Sequence, residues 1–289
     1  MSADQAGRTF VITGANSGIG LAAARQLAAR GARIVLAVRS TEKGERAAAT
    51  IDGDTEVRAL DLSDLSSVHA FADGYDGEID VLINNAGIMA VPKSTTKDGF
   101  ESQIGTNHLG HFALTNLLLD RIGERVVTVA SGAHNFGSIN LDDLNWEHRR
   151  YDRWRAYGQT KLANLLFTSE LTRRLIDAGS DVRATAAHPG YAATNLQSHT
   201  GNWFQNAAMI VANKVIAQSE DAGAWPTVFA ATEDVPSNTY IGPDGFMEQR
   251  GRPKIVGRSK AARDDDKARA LWELSEELTG VKFPLGVPA

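Results

Sequence analysis

Thr13-Gly14-Ala15-Asn16-Ser17-Gly18-Ile19-Gly20 follows the apolar run Phe10-Val11-Ile12 and opens directly into a segment with helical periodicity. Ile19, Ala23 and Leu27 recur at i, i+4 and i+8, with Ala24 and Ala28 beside them, as on one face of a helix. A strand, a glycine turn and a helix in that order have a physical use. The glycines permit a tight turn, let backbone approach a pyrophosphate, and let the helix pack close to the strand. The helix N-terminus then offers free N–H groups and the positive end of its dipole to phosphate. Glycine spacing alone fits an ordinary turn equally well. Its position after the first strand of a β-α-β unit is what favours dinucleotide binding.

Further short apolar runs follow at Ile34–Val38, Val57–Leu60, Val81–Ile83, Val126–Val129 and Val182–Ala186, with longer helical patterns between them. Runs without polar alternation belong to strands covered on both faces, so the sheet is expected to be parallel with helices on each side. A seventh strand is expected at Thr239-Tyr240-Ile241, and Gly31 is expected to cap the first helix. A (βα)₈ barrel is the rival architecture. The early phosphate-type turn disfavours it, because barrels place such turns late. The alternation runs to about residue 190 without a linker, repeat or charge block and is less regular from 191, and one domain over residues 1–289 is expected. Residues 195–217, with Trp203, Phe204, Met209, Ile210 and Val211, read as core packing, as a membrane-contacting helix or as a segment covering a substrate. The tail 260–289 reads as helical as far as Gly280.

Composition narrows the function. The 289 residues carry a formal net charge of −5, which argues against nucleic-acid or anionic-membrane binding. With no cysteine, thiol nucleophiles, disulfides and cysteine-ligated metals are excluded. No 18-residue apolar run is present and the first seven residues are polar, so cytoplasmic residence is expected. His108 and His111 are three apart, but no third ligand with sensible spacing is nearby and no metal is expected. His134 lies three after Ser131, yet the Gly-x-Ser-x-Gly context of a hydrolase nucleophile is missing.

Tyr157 and Lys161 are four apart in a helical pattern and so share a face. An ammonium beside a phenol favours the phenolate, which suits proton exchange with an alcohol or ketone oxygen. A surface Lys near a half-buried Tyr is the plain alternative. Tyr151 competes, but Arg155 stands where its lysine would be. Ser131 ends the fifth strand, at the sheet edge that lines the ligand crevice in doubly wound folds. Its hydroxyl can donate to an oxygen gaining charge, and Ser138 is a weaker alternative. The polar, Trp-bearing stretch 140–155 is expected at the rim of the site.

These motifs occur together and in order: Gly14-x-x-x-Gly18-x-Gly20, Asn84-Asn85-Ala86-Gly87, Asn107-His-Leu-Gly, Ser131, Tyr157-Gly-Gln-Thr-Lys161, and Pro189-Gly190 with Thr194 beyond. Over roughly residues 8–250 the chain resembles the short-chain dehydrogenase/reductases. Asn107-His-Leu-Gly-His-Phe and Ala156–Asn164 are similar to the retinol-dehydrogenase-like branch, without the N-terminal membrane anchor of many of its members. The resemblance implies a single doubly wound Rossmann domain with a mostly parallel, seven-stranded sheet. It implies hydride transfer between NADP(H) and a carbonyl or alcohol substrate. Tyr157 would be the acid/base, and Lys161 would hold the nicotinamide ribose and tune Tyr157. Ser131 would polarise the carbonyl, and Asn107 would hold a water that relays protons to Lys161. Cofactor contacts are implied at Gly14, Asn16, Ser17, Gly18, Ile19, Gly20, Arg39, Asp61, Leu62, Asn85, Ala86, Gly87, Tyr157, Lys161, Pro189, Gly190 and Thr194. The segment after Thr194 would cover the substrate, and its apolar content implies a lipophilic one. A catalytically silent NADP(H)-binding regulator and a Rossmann methyltransferase are the other readings. The oligomeric state stays open, a homo-oligomer being allowed.

The end of the second strand bears on cofactor choice. An NAD-binding chain places Asp or Glu about 20 residues past the glycine turn, on the adenine ribose. Counted from Gly20, that position is Val38, which cannot make this bond. Arg39 follows, and a guanidinium grips a 2′-phosphate through paired charge-assisted hydrogen bonds. A merely solvated Arg39 is the alternative.

Overall fold

A computed structural model of the chain describes residues 4–190 and 219–286. The glycine turn joins β1 (Thr9–Thr13) to α1 (Gly18–Ala28). Next come β2 (Arg33–Val38), α2 (Thr41–Ala48), β3 (Thr55–Ala59), α3 (Leu65–Asp73) and β4 (Ile79–Asn84). A short turn α4 (Ser102–Ile104) leads through a π-turn (Gly105–Leu109) into α5 (Gly110–Leu118). β5 (Ile122–Val129), the long α6 (Arg153–Asp177) and β6 (Arg183–Ala187) follow. After the segment outside the described residues come α7 (Glu220–Thr232), β7 (Tyr240–Pro243), β8 (Pro253–Ile255) and α8 (Asp265–Thr279).

The strands form one sheet in the order β3-β2-β1-β4-β5-β6-β7-β8. All neighbours are parallel except β7 and β8. The order reverses between β1 and β4, and at such a switch point the strand ends open a crevice. Alternation of side chains explains the apolar runs. Phe10 and Ile12 pack with α1 and α7, whereas Val11 packs with α3, α5 and α6 on the other face. Both faces are dry, so neither residue parity can be polar.

The expected seven strands become eight among the described residues. β8 is a three-residue edge strand containing Pro253 and Lys254, and such an edge carries no apolar run to reveal it. β7 falls on the expected seventh strand and runs on to Pro243. Gly31 does not cap α1. Ala29 does, and Gly31 takes φ +87° in the turn beyond. The C-terminal helix ends where expected, with Gly280 left-handed at φ +70°. Trp272 of this helix is buried and stacks on Phe167 of α6 with centroids 5.5 Å apart. Thr194 and the expected covering segment 195–217 lie outside the described residues.

Candidate active site

Residues implicated from the sequence gather past the C-terminal ends of β1 to β6. The glycine turn is built for close approach. Gly14 takes φ +66°, and a Cβ on Gly20 would stand 2.4 Å from Asn85 Nδ2 and 2.7 Å from the Gly14 carbonyl. Ser17 caps α1 without a side-chain hydrogen bond, and no acidic residue occupies the first turn. The first N–H groups of α1, with Gly18, Ile19 and Gly20, therefore remain available to an anion.

Beside this turn, Asn16, Ser17, Arg25, Lys43 and Arg46 line an open cavity of about 420 Å³. Arg39 is exposed one residue past β2. Val38, the position reached by counting, is buried against the first helical turns of α2, with its Cγ2 2.7 Å from where a Gly44 Cβ would lie. An acid at 38 would thus sit in the core rather than on a ribose. Lys43 was missed in the sequence. It lies four after Arg39, and only the N-cap at Ser40 turns it toward Asn16 and Ser17.

Asp61 accepts from the Ser63 amide (3.0 Å) and hydroxyl (2.6 Å), which fixes the loop past β3. Leu62 is buried with its carbonyl 2.4 Å from where a Cβ on Gly110 would lie. Past β4, the amides of Asn85 and Ala86 both donate to Thr13 Oγ1 at 2.9 Å. Asn85 Nδ2 donates to the Thr13 carbonyl at 2.8 Å. Past β6, the Gly190 amide donates to His188 Nδ1, and Pro189 stands between those two residues.

The four residues expected to do chemistry converge from the π-turn (Asn107), just past the end of β5 (Ser131) and α6 (Tyr157 and Lys161). Ser131 caps a 3₁₀ turn, Gly132–Phe136, by accepting from the Ala133 amide at 3.2 Å, and its hydroxyl pulls the Tyr157 pKa downward. The approach depends on glycine, since a Cβ on Gly137 would meet the Gly158 carbonyl at 2.2 Å. Lys161, one turn along α6, donates through Nζ to the Val129 carbonyl at 3.1 Å. Gly87 lies beside both Lys161 Nζ and Asn107 Oδ1, at 3.7 and 3.2 Å from the Cβ it lacks. Asn107 sits in the π-turn, a distortion that often marks functional positions. Its Oδ1 accepts from the Ile88 amide (2.8 Å), and its Nδ2 donates to the Ile88 carbonyl (2.8 Å) and to Thr160 Oγ1 (3.1 Å). It thereby ties the loop past β4 to α6.

The electrostatics differ from the expectation in one respect. Burial pushes the Tyr157 phenol up to about 12, against a smaller downward pull from Ser131. The Lys161 ammonium lies 5.6 Å from the Tyr157 ring centroid, not on its hydroxyl. Burial holds Lys161 down to about 8. The phenol is therefore a loaded acid at neutral pH.

The competing residues find other partners. Tyr151 donates to Glu101 (3.0 Å) and accepts from Gln103 (2.8 Å), with its pKa raised by burial. Ser138 is exposed beyond the 3₁₀ turn. His134 Nδ1 donates to the Ser131 carbonyl at 2.8 Å, so its ring is not a base for that hydroxyl. Among the described residues no cluster could hold a metal, and no helix is long and apolar enough to cross a membrane. The 140–155 stretch is less of a rim than expected. Trp146 is buried under Arg149, whose guanidinium lies 3.6 Å from the ring centroid, while Trp154 is exposed.

Residues 8–205 match the short chain dehydrogenase family. Human retinol dehydrogenase 13 is 43% identical, across 96% of this chain and 86% of its own length. Bovine retinol dehydrogenase 12 is 48% identical, across 96% and 88%. A crystal structure of an uncharacterised protein from Mycobacterium Paratuberculosis is 58% identical with a TM-score of 0.85, covering 97% of this chain and 96% of that one. A Beutenbergia cavernae protein, described as an NAD(P)-dependent gluconate 5-dehydrogenase and crystallised with NADP, is 27% identical. Its TM-score is 0.59, covering 78% of this chain and 89% of that one. With these relatives and the converging strand ends, the chain belongs to the short-chain dehydrogenase family of oxidoreductases.

Proposed function

We propose that this protein transfers hydride between NADP(H) and a lipophilic carbonyl or alcohol. The observation that carries the reading is the buried Tyr157–Lys161 pair one turn apart on α6, with Lys161 Nζ 5.6 Å from the Tyr157 ring centroid and held at the C-terminal end of β5 by the Val129 carbonyl. The cradle fits a dinucleotide: a helix N-terminus whose cap makes no side-chain hydrogen bond, a turn in which a Cβ at position 20 would crowd Asn85 and Gly14, and basic groups at its outer rim. The cofactor, when bound, supplies or receives the hydride.

Tyr157 Oη gives its proton to the carbonyl oxygen in reduction and takes one back in oxidation. A phenol near 12 keeps that proton at working pH until charge builds on the substrate oxygen. Ser131 donates to the same oxygen. Lys161, held by the Val129 carbonyl, faces Gly87 and the ribose side of the crevice. Asn107 fixes the loop at Ile88, which borders the same space. Lipophilic substrates are favoured by the retinol dehydrogenase names of the relatives and by Ile88, Met89 and Val91 past β4. NADP(H) is favoured by Lys43 in the cavity lining, by the exposed Arg39 past β2, and by the NADP in the Beutenbergia cavernae structure.

The test is a screen of lipophilic aldehydes, ketones and secondary alcohols, following NADPH absorbance. Steady turnover of at least one is expected. NADPH binding without turnover across the panel would favour a silent regulator, and a bound sulfonium cofactor would favour a methyltransferase.

A further inference from the structure

His111 is buried on α5, one turn past Asn107, and neither the acid/base chemistry nor a metal accounts for it. Its Nδ1 lies 3.1 Å from the Asn107 carbonyl and its Nε2 lies 2.9 Å from Thr13 Oγ1. The proton positions follow from the partners. A carbonyl only accepts, so Nδ1 carries the hydrogen. Burial holds the imidazole down to about 4, so the ring is neutral and Nε2 has a lone pair. Thr13 Oγ1 already accepts from the Asn85 and Ala86 amides, which use both its lone pairs. Its own hydrogen must then point to His111 Nε2, since the alternative acceptor, the Ile83 carbonyl, is 3.4 Å away.

We propose that His111 is a positioning residue that locks the Asn107 turn to the Asn85–Gly87 wall of the nicotinamide crevice. It sets the rotation of the Thr13 hydroxyl, and that rotation aims two lone pairs at the two amides of the wall. At the other end it engages the Asn107 carbonyl in the π-turn, whose side-chain oxygen borders Gly87 as Lys161 Nζ does. The two sides of the crevice, from β4 and from α5, are then held by one neutral ring. The inference rests on the proposed nicotinamide site.

The test is a set of variants read by NADPH affinity, from fluorescence titration, and by kcat. Thr13→Val should weaken NADPH about tenfold, and Thr13→Ser should restore it to within about twofold. His111→Asn should match Thr13→Val, because asparagine can still donate to the carbonyl four residues back, as Asn116 does to Phe112 at 2.9 Å, but cannot reach Thr13. Combining His111→Asn with Thr13→Val should weaken binding no further than either alone, the mark of one shared interaction. His111→Leu should also lower kcat about tenfold, since the Asn107 carbonyl loses its donor. Additive losses in the double variant would overturn the proposal. So would a lowered melting temperature with NADPH affinity and kcat unchanged. If His111→Leu does not fold, the asparagine and Thr13 variants still decide. Affinity needs no turnover, so a chain that binds NADPH without consuming it fails the proposed reaction while the coupling remains measurable. A chain that does not bind NADPH overturns both.

Discussion

Arg39 and Lys43 show how far single residues could be read. Arg39 follows β2 and is exposed, as the sequence suggested, but counting from the glycine turn landed on Val38, which is core. Lys43 was hidden because its relation to Ser17 depends on how α2 is capped and tilted, not on spacing within the glycine turn. Lys43 in the cavity lining and the exposed Arg39 past β2 lead to a prediction. The wild type should prefer NADPH over NADH by at least tenfold in kcat/KM, about 1.4 kcal/mol. Arg39→Ala and Lys43→Ala should each erode that preference by weakening NADPH alone. Kinetics with both cofactors check it, and equal use of NADH by the wild type would show that neither cation selects. Tyr157 and Lys161 were legible as a pair from their spacing. The direction of the Tyr157 shift was not, because burial is a property of the folded site and outweighs a lysine that points at Val129.

At the scale of elements, β1 to β6 were legible because doubly covered strands have no polar alternation, as in Phe10-Val11-Ile12. β8 was not, since an edge strand holding Pro253 and Lys254 lacks that signature. The π-turn was equally hidden. Asn107 gave no local sign of the extra residue in its turn, and its partners Ile88 and Thr160 come from elements distant in sequence. The β1-turn-α1 unit supplies a test of the cradle. In Gly20→Ala the new methyl meets Asn85 Nδ2 and the Gly14 carbonyl, and a backbone carbonyl cannot swing aside. Overpacking of this kind costs about 1–3 kcal/mol. Denaturant unfolding should show that loss, with NADPH binding weakened in parallel. Unchanged stability and affinity in Gly20→Ala would mean that the turn is looser than described.

In the whole molecule, His108 on the π-turn reaches Ser275 of α8 at 3.0 Å while His111 reaches Thr13, so buried neutral imidazoles join the sheet to its C-terminal helix. Burial holds His108 down to about 3 and His111 to about 4, below the usual 6.5. The unfolded chain therefore takes up protons that the folded chain refuses as pH falls below 6.5. The stability is fully present above that value and is lost toward pH 4, at about 1.4 kcal/mol per pH unit for each histidine. His188 is held down to about 4 in the same way, so urea unfolding at pH 7.5 and 5.5 should differ by about 4 kcal/mol. A His108→Asn/His111→Asn variant should remove most of the dependence and leave the His188 share, and a wild type equally stable at both pH values would contradict it. The molecule as a whole brings six strand ends, a π-turn and α6 to one point, and the account stands on the proton exchanged there. Tyr157→Phe keeps the ring that packs among these elements and removes only the oxygen. Turnover of a lipophilic aldehyde and NADPH affinity, measured side by side on wild type and Tyr157→Phe, test it most directly. The account predicts a kcat loss of about three orders of magnitude with NADPH affinity nearly intact, and a kcat within about tenfold of wild type would contradict it.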